Sequence, residues 1–404
     1  VTAAGALIVD EEGSPPYDYD DERIIAIGDV FEKSDDDIED GLTGNPFRWS
    51  GETVNVLVNG KGQMPGKPTS EDCELASIDV EPEKTYRFRF IGGTALSFVT
   101  LAFEGHDQMT LIEADGDYTK PVNVSYLQIG SGQRFSVLLR TPSRESLTKS
   151  QFFMQIETRD RPTTTTSYAI LKYNLASSKR MPAAPSLLSP PASPLLTLPP
   201  TTLGWLDGQL LSLNVNPDFP PSSSVTRRVV IRTHQILGNN SVVWAQDLSP
   251  WIESFPKEPY LVSLYRNDNR EFPSSARAFE NEGIDPVTRA FPAEIGEVIE
   301  IIIQNTGSDV GTVDVHPFHA HGAHYYDLGS GNGTYDPVLN EEKIKGLSLA
   351  RRDTTMLYKW GEKVTPGVDV GWRAWRLKVT EPGVWMIHCH ILQHMIMGMQ
   401  TVWV

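Results

Sequence analysis

Short apolar runs alternate with polar residues along most of this chain. Arg87-Phe88-Arg89-Phe90-Ile91 and Phe135-Ser136-Val137-Leu138-Leu139 are typical, and turn-forming glycine and proline separate such runs. A period of two sends successive side chains to opposite faces of a strand. Many short strands between turn signals predict β-sandwiches or barrels, so the expected fold class is all-β. No long stretch carries the 3.6-residue period of an amphipathic helix. Residues 176–202 break the pattern with repeated Pro, Ser and Leu, which favours extended polyproline II geometry and a stiff linker. That linker separates a domain at about 13–175 from another at 203–404. Residues 11–42 are acidic, with Asp35-Asp36-Asp37 and Glu39-Asp40, and read as a solvated loop region around a short strand at 23–27.

A length of 404 residues fits two to three domains. The formal charge of -17 argues against nucleic acid or an anionic membrane as partner. No apolar run is long enough for a membrane helix, which takes about twenty residues. Asn123-Val124-Ser125, Asn239-Asn240-Ser241 and Asn332-Gly333-Thr334 match the N-glycosylation pattern. Together with a first residue that is Val rather than Met, they lead to the expectation of a processed, secreted glycoprotein.

The candidate chemistry is concentrated in two segments. His316-Pro317-Phe318-His319-Ala320-His321-Gly322 and His388-Cys389-His390-Ile391-Leu392-Gln393-His394 hold six of nine histidines and one of two cysteines, and Met399 follows closely. Thiolate, thioether and imidazole together select copper over hard cations. Reading the run 388–399 as the last strand, alternation turns Cys389 away from His388 and His390, and His316 away from His319 and His321. If the two segments are neighbours, they build two sites. One gathers His316, Cys389 and His394 with Met399 as a long axial partner, which describes a blue-copper centre. The other gathers His319, His321, His388 and His390. A zinc site is the alternative for such ligands, but zinc closes with four and more than four compete here. Met395 and Met397 read as gap-filling core residues, and His106, His234 and His324 as structural.

These two segments resemble the third-domain signatures of the multicopper oxidases, a family that includes laccases, ascorbate oxidases and ferroxidases. His-Pro-x-His-x-His-Gly and His-Cys-His-Ile-x-x-His-x-x-x-Gly-Met are both present. The resemblance implies tandem cupredoxin-like Greek-key β-barrels. It also implies four coppers per assembled enzyme: a type 1 copper on His316, Cys389, His394 and Met399, and a trinuclear cluster. Within the cluster His319 takes the type 2 position and His321, His388 and His390 the type 3 positions. The expected activity is one-electron oxidation of small donors at the type 1 copper, with His394 as an edge ligand near the surface. Cys389 then hands electrons through His388 and His390 to the cluster, where dioxygen is reduced to water. Two departures matter. The family's cluster uses eight histidines and this chain offers four, with no His-x-His pair before residue 316. Many relatives also carry an acid directly after His-Cys-His-Ile, where this chain has Leu392.

The resemblance makes residues 1–12 the last strand of a first cupredoxin domain, the rest of which is expected on a second chain. That partner would carry the four missing ligands and make the enzyme a heterodimer. Cys73 is left over once Cys389 is assigned to copper, and an odd cysteine in a secreted protein suggests intermolecular pairing. Plant ascorbate oxidases place a cysteine similarly, seven residues before a stretch like Val80-Glu81-Pro82-Glu83-Lys84-Thr85-Tyr86-Arg87, which implies a disulfide to the partner chain. Arg48-Trp49-Ser50-Gly51-Glu52 and Val243-Trp244-Ala245 also resemble segments of those enzymes. Trp49 and Trp244 are therefore expected to flank a flat phenolic or enediol donor, with Glu52 as a candidate proton acceptor. Alternatives are a non-enzymatic blue-copper carrier, a ferroxidase and a nitrite reductase relative.

Overall fold

The computed structural model describes residues 5–64, 73–175, 189–216, 218–246, 250–252, 258–266 and 271–404. The first part of the predicted linker, 176–188, lies outside the described residues. The chain divides into two compact units, Val1–Asp35 with Gly51–Trp205, and Asp36–Ser50 with Leu206–Val404. The acidic segment Asp36–Ser50 thus groups with the C-terminal unit, where the sequence reading left it in the preceding domain.

Each unit is a pair of curled sheets, the cupredoxin-like arrangement expected. In the first, the six-stranded sheet runs Asn55–Val58, Asp21–Val30, Thr85–Gly92, Arg134–Arg140, Met109–Ala114, Asp117–Val124. Asp21–Val30 lies parallel to Thr85–Gly92, and the other neighbours are antiparallel. The facing five-stranded sheet runs Ser77–Val80, Thr166–Tyr173, Gln151–Arg159, Phe98–Phe103, Leu127–Ile129. The larger sheet of the second unit repeats the scheme: Val242–Gln246, Arg227–Leu237, Val298–Thr306, Asp369–Lys378, Tyr325–Gly331, Arg351–Arg352. Again the second and third strands are parallel and the rest antiparallel. Its smaller sheet runs Thr354–Leu357, His316–Ala320, Trp385–Cys389, Gln400–Trp403.

Alternation along the strands builds the cores. On Thr85–Gly92, Tyr86, Phe88 and Phe90 are buried, and Phe88 meets Phe103 edge-on at 5.4 Å between ring centres. Val298–Thr306 shows no alternation because all nine residues are buried. That strand lies between two neighbours and is covered on both faces, so Glu300 sits inside at 0% exposure. Its carboxylate is held by Arg376 at 2.7 Å and Arg228 at 2.9 Å, and the Tyr335 hydroxyl donates to it at 3.0 Å. Nearby, buried Arg373 donates to Asp207 and to Asp327, each at 3.0 Å. A buried charge persists only when paired and hydrogen-bonded.

Two local expectations are corrected. The acidic stretch is not a loop around five strand residues. It holds a ten-residue strand, Asp21–Val30, and a helix, Asp35–Thr43. Asp35, Asp36 and Asp37 occupy the first helical turn, where exposed backbone N–H groups favour negative charge, and Ile38 and Leu42 are buried. Nor is 388–399 one strand. The strand ends at Cys389, a short helix spans Leu392–Ile396, and a new strand begins at Gln400. Among the described residues, no helix is long and apolar enough to cross a membrane.

His106 and His234 are structural, as read. His106 is buried between Phe152 and Tyr173, with ring nitrogens on the Glu104 carbonyl (2.8 Å) and the Tyr173 hydroxyl (2.5 Å). His234 binds Asp309 at 2.9 Å.

Glu300→Ala is expected to leave Arg376 with Glu341 as its one carboxylate partner and to cost about 3 kcal/mol, the lower end of the usual penalty for breaking a buried pair, measured by urea unfolding. Burial lowers the His106 pKa below its ordinary 6.5. The unfolded chain therefore binds a proton that the folded chain refuses as pH falls below that value. Stability should decline across this window, and His106→Gln should remove that component of the slope in urea melts recorded from pH 7.5 to 5.

Candidate metal centre

Register brings the two histidine segments together. His316–Ala320 and Trp385–Cys389 are antiparallel neighbours, with Phe318 opposite Cys389 and His319 opposite His388. Residues directly opposite on paired strands share a face. His316 stands two before Phe318, so it shares the face of Cys389, while His319 shares the face of His388. The backbone N–H of His390 donates to the Pro317 carbonyl at 2.6 Å and extends this register past the strand end. The helix Leu392–Ile396 then folds His394 back over the cysteine face. The Met399 N–H donates to the His394 carbonyl, and the Cys389 N–H to the Met399 carbonyl, both at 3.0 Å. Gly398 makes the return possible. Its φ is +110°, and a Cβ there would stand 2.6 Å from the Pro250 side chain and 2.9 Å from the Trp244 carbonyl oxygen.

The first group is His316, Cys389 and His394, all buried. Cys389 Sγ lies 3.6 Å from His316 Nδ1 and 3.8 Å from His394 Nδ1, and the two nitrogens are 3.1 Å apart. The centre of that triangle is about 2 Å from each donor, the length of a metal–imidazole bond. His316 Nε2 is buried with no hydrogen-bond partner, so nothing turns this ring except what its Nδ1 faces. Met399 is fully buried beside the group in sequence. Desolvation pushes the Cys389 thiol well above its ordinary pKa and lowers His316 to about 3. Neutral imidazole is the ligating form, and metal binding here must expel the thiol proton.

The second group is His319, His321 and His388, with ligating nitrogens within 4.8 Å of one another. His321 Nε2 and His388 Nε2 face each other at 3.1 Å. His390 belongs with them, its ring centre 5.6 Å from His388 and 5.8 Å from His319. Hydrogen bonds fix two tautomers. His319 Nδ1–H donates to the Asp353 carbonyl (2.9 Å) near Thr354 Oγ1 (3.0 Å), and His388 Nδ1–H donates to the Cys389 carbonyl (2.9 Å). Each ring is thereby left with an unprotonated Nε2, the form that ligates a metal. Burial lowers the His388 pKa to about 3, so it too stays neutral. Two nitrogens and a thiolate in one group, and imidazoles alone in the other, fit copper in both places.

Some expected residues stand elsewhere than foreseen. His394 is not at the surface but 2% exposed, with Nε2 turned toward the Asp314 carboxylate at 3.8 Å. Trp244 is buried against the first group, 4.8 Å from both His316 and His394 between ring centres, so it walls the site rather than presenting a donor face. Trp49 is half-buried in the segment after the helix Asp35–Thr43. Glu52 belongs to the N-terminal unit and is held bidentately by Arg161, both oxygens at 2.8 Å, which leaves it poorly suited to accept a proton. Cys73 is exposed and free, and Asn123, Asn239 and Asn332 are exposed. Asp353 and Asp314 were missed. Asp353 also reaches His324 at 3.3 Å, so that histidine is tied to the edge of the second group. Nothing in Arg351-Arg352-Asp353-Thr354 marks it by type or spacing; only strand pairing brings Thr354 opposite His319.

Comparison with known proteins agrees with this geometry. Family models described as multicopper oxidase match residues 21–176 and 255–404. The chain is 44% identical to laccase-like multicopper oxidase 1 of Thermothelomyces thermophilus, over 100% of the chain and 70% of that protein. It is 30% identical to the L-ascorbate oxidase of Cucurbita pepo var. melopepo, over 98% of the chain and 73% of the relative. The laccase of Botrytis aclada shares the fold, with a TM-score of 0.66 at 21% identity, over 97% of this chain and 65% of that one.

Cys389→Ser should abolish the intense visible thiolate-to-copper absorption of the copper-loaded protein while imidazole-bound copper persists in paramagnetic resonance spectra. Thr354→Val should remove the Oγ1 contact to His319 while keeping the bond to the Asp353 carbonyl, and weaken copper binding at the second group roughly 10-fold, read by competition with a chelator, with the visible band unchanged.

Proposed function

The chain belongs to the multicopper oxidase family, a copper oxidoreductase family, and on that premise we propose that it oxidises small reducing donors at one copper centre and passes the electrons to dioxygen at another. The observation that carries this reading is that adjacent residues serve the two groups. Cys389 stands in the first and His388 in the second, and the His388 Nδ1–H is bonded to the Cys389 carbonyl. One peptide bond and one hydrogen bond therefore connect the sulfur to the imidazoles. When bound, copper supplies one-electron redox steps at the thiolate site and four-electron reduction of dioxygen to water at a trinuclear site.

The residues divide the work. His316, Cys389, His394 and Met399 form the type 1 site, and burial under Trp244 excludes water from it. His319 takes the type 2 position, and His321, His388 and His390 take type 3 positions. In this reading the donor meets the protein at half-buried Asp314, whose carboxylate lies 3.8 Å from Nε2 of the buried His394. The donor class is a phenol, another electron-rich aromatic or ascorbate, in line with relatives named as laccase-like and as L-ascorbate oxidases. The higher identity to the former favours aromatic donors.

The remaining four imidazoles come, in this reading, from a first cupredoxin domain. Residues 5–12 form no strand here, and Leu7 and Val9 are 89% and 75% exposed, as suits a segment that adds to another sheet. Exposed Cys73 is available for a disulfide to that domain. The exposed asparagines at positions 123, 239 and 332 fit glycosylation and secretion. A blue-copper carrier is the second reading, because the first group is complete within this chain.

Oxygen uptake with a phenolic donor and with ascorbate, alongside copper analysis, tests the proposal. Turnover with about four coppers per assembled molecule supports the oxidase. About one copper and no oxygen uptake makes the protein a carrier.

A further inference from the structure

Three buried side chains at the first metal group carry polar atoms with no hydrogen-bond partner among the protein's own groups: His316 Nε2, Trp244 Nε1 and both amide atoms of Gln246. Among the described residues, Gln246 is the one buried side chain with donor and acceptor both left over, and it is 2% exposed. A buried polar group left unbonded is costly, and the great majority in folded proteins are satisfied.

Strand register places these atoms on one side. The rings of Trp244 and His316 stand 4.8 Å apart between centres, edge to face. Gln246 follows Trp244 by two on the strand Val242–Gln246 and so takes the same face. It lies opposite Thr233, which in turn lies opposite Asn305. Asn305 Nδ2–H donates at 2.8 Å to the carbonyl of Asp314, two residues before His316. The buried row Gln246, Thr233, Asn305 is thus tied to the His316 segment at one end and flanked by the Trp244 ring at the other.

When Nδ1 of a neutral imidazole ligates a metal, the ring proton sits on Nε2. His316 Nε2 then becomes a donor in need of an acceptor, and Trp244 Nε1–H is a second donor. Gln246 offers one oxygen and one NH2 group whichever way its amide is turned. None of the three bonds another directly, so water is what can join them. One water accepts from His316 and Trp244 and donates to the Gln246 oxygen, about three bonds being usual for an internal water. A second, bonded to the first, takes the Gln246 N–H.

We propose that Gln246 is a positioning residue for the copper ligand His316, acting through an internal water that accepts the His316 Nε2–H. A hydrogen bond at the far nitrogen fixes the ring and makes its Nδ1 the more basic ligand. That favours oxidised over reduced copper and lowers the reduction potential. The water meets the ring nitrogen remote from the metal, so the metal itself stays enclosed by Trp244. This role requires copper in the first group and holds for an oxidase and a blue-copper carrier alike.

A high-resolution crystal structure of the copper-loaded protein should show a water within hydrogen-bond distance of both His316 Nε2 and the Gln246 amide, and absence of that water overturns the proposal. Gln246→Leu nearly keeps the volume and removes both polar atoms. It should lose the water, keep the intense visible thiolate band, and weaken the hold on oxidised relative to reduced copper about tenfold. Tenfold is a rise of about 59 mV in a one-electron potential, read by redox titration at the visible band. Gln246→Met serves if the leucine variant does not fold. An unchanged potential with the water lost makes Gln246 a packing residue and overturns its role. A copper-loaded wild-type protein with no visible band removes the copper site and this role with it, whereas oxygen uptake bears on the oxidase reading alone.

Discussion

The antiparallel pairing of His316–Ala320 with Trp385–Cys389 is the constraint on which the functional site depends. Its register sets Phe318 against Cys389 and His319 against His388. A slip of one residue would exchange the faces of every side chain on one strand. The thiol would then point at the imidazole group, and both metal sets would be lost together. Register at this place is chemistry, because one strand supplies ligands to two sites through its two faces.

That register is held from several sides. Thr354–Leu357 pairs along the outer side of His316–Ala320, and Gln400–Trp403 along the outer side of Trp385–Cys389. The larger sheet is pinned by buried Arg373 and Arg376, whose carboxylate partners come from segments far apart in sequence, Asp207, Asp327, Glu300 and Glu341. Such networks are costly to bury and costly to break, so they resist sliding of the strands they tie.

The same architecture separates enclosure from access. The thiolate group is sealed by Trp244 and by the helix Leu392–Ile396, which carries His394 inward. The imidazole group is more open, with His321 exposed at the sheet edge while His388 is buried. On the proposed function, a site that exchanges only electrons gains from exclusion of water, and one that admits a reactant has to remain open. The chain spans about 70% of the length of the first curated relative it matches.

How much of this was legible follows from the range of each interaction. Alternating runs such as 87–91 and 135–139 gave the all-β class, because the period of two is local. The ligand types, their spacing and the sorting of Cys389 from His388 were readable for the same reason. The sequence could not reveal the wholly buried strand Val298–Thr306, whose pattern is erased by cover on both faces, nor the helix that interrupts 388–399. It hid the shared strand order of the two units, since their side chains differ while their pairings agree. Asp353, Asp314 and the inward placement of His394 were invisible, being products of contacts between segments distant in sequence. The chain by itself determined which atoms could bind metal and which faces they would take. Only the tertiary structure decided which of them meet and how deeply they are buried, because strand register, return loops and packing between sheets are properties of pairs of segments and not of any one.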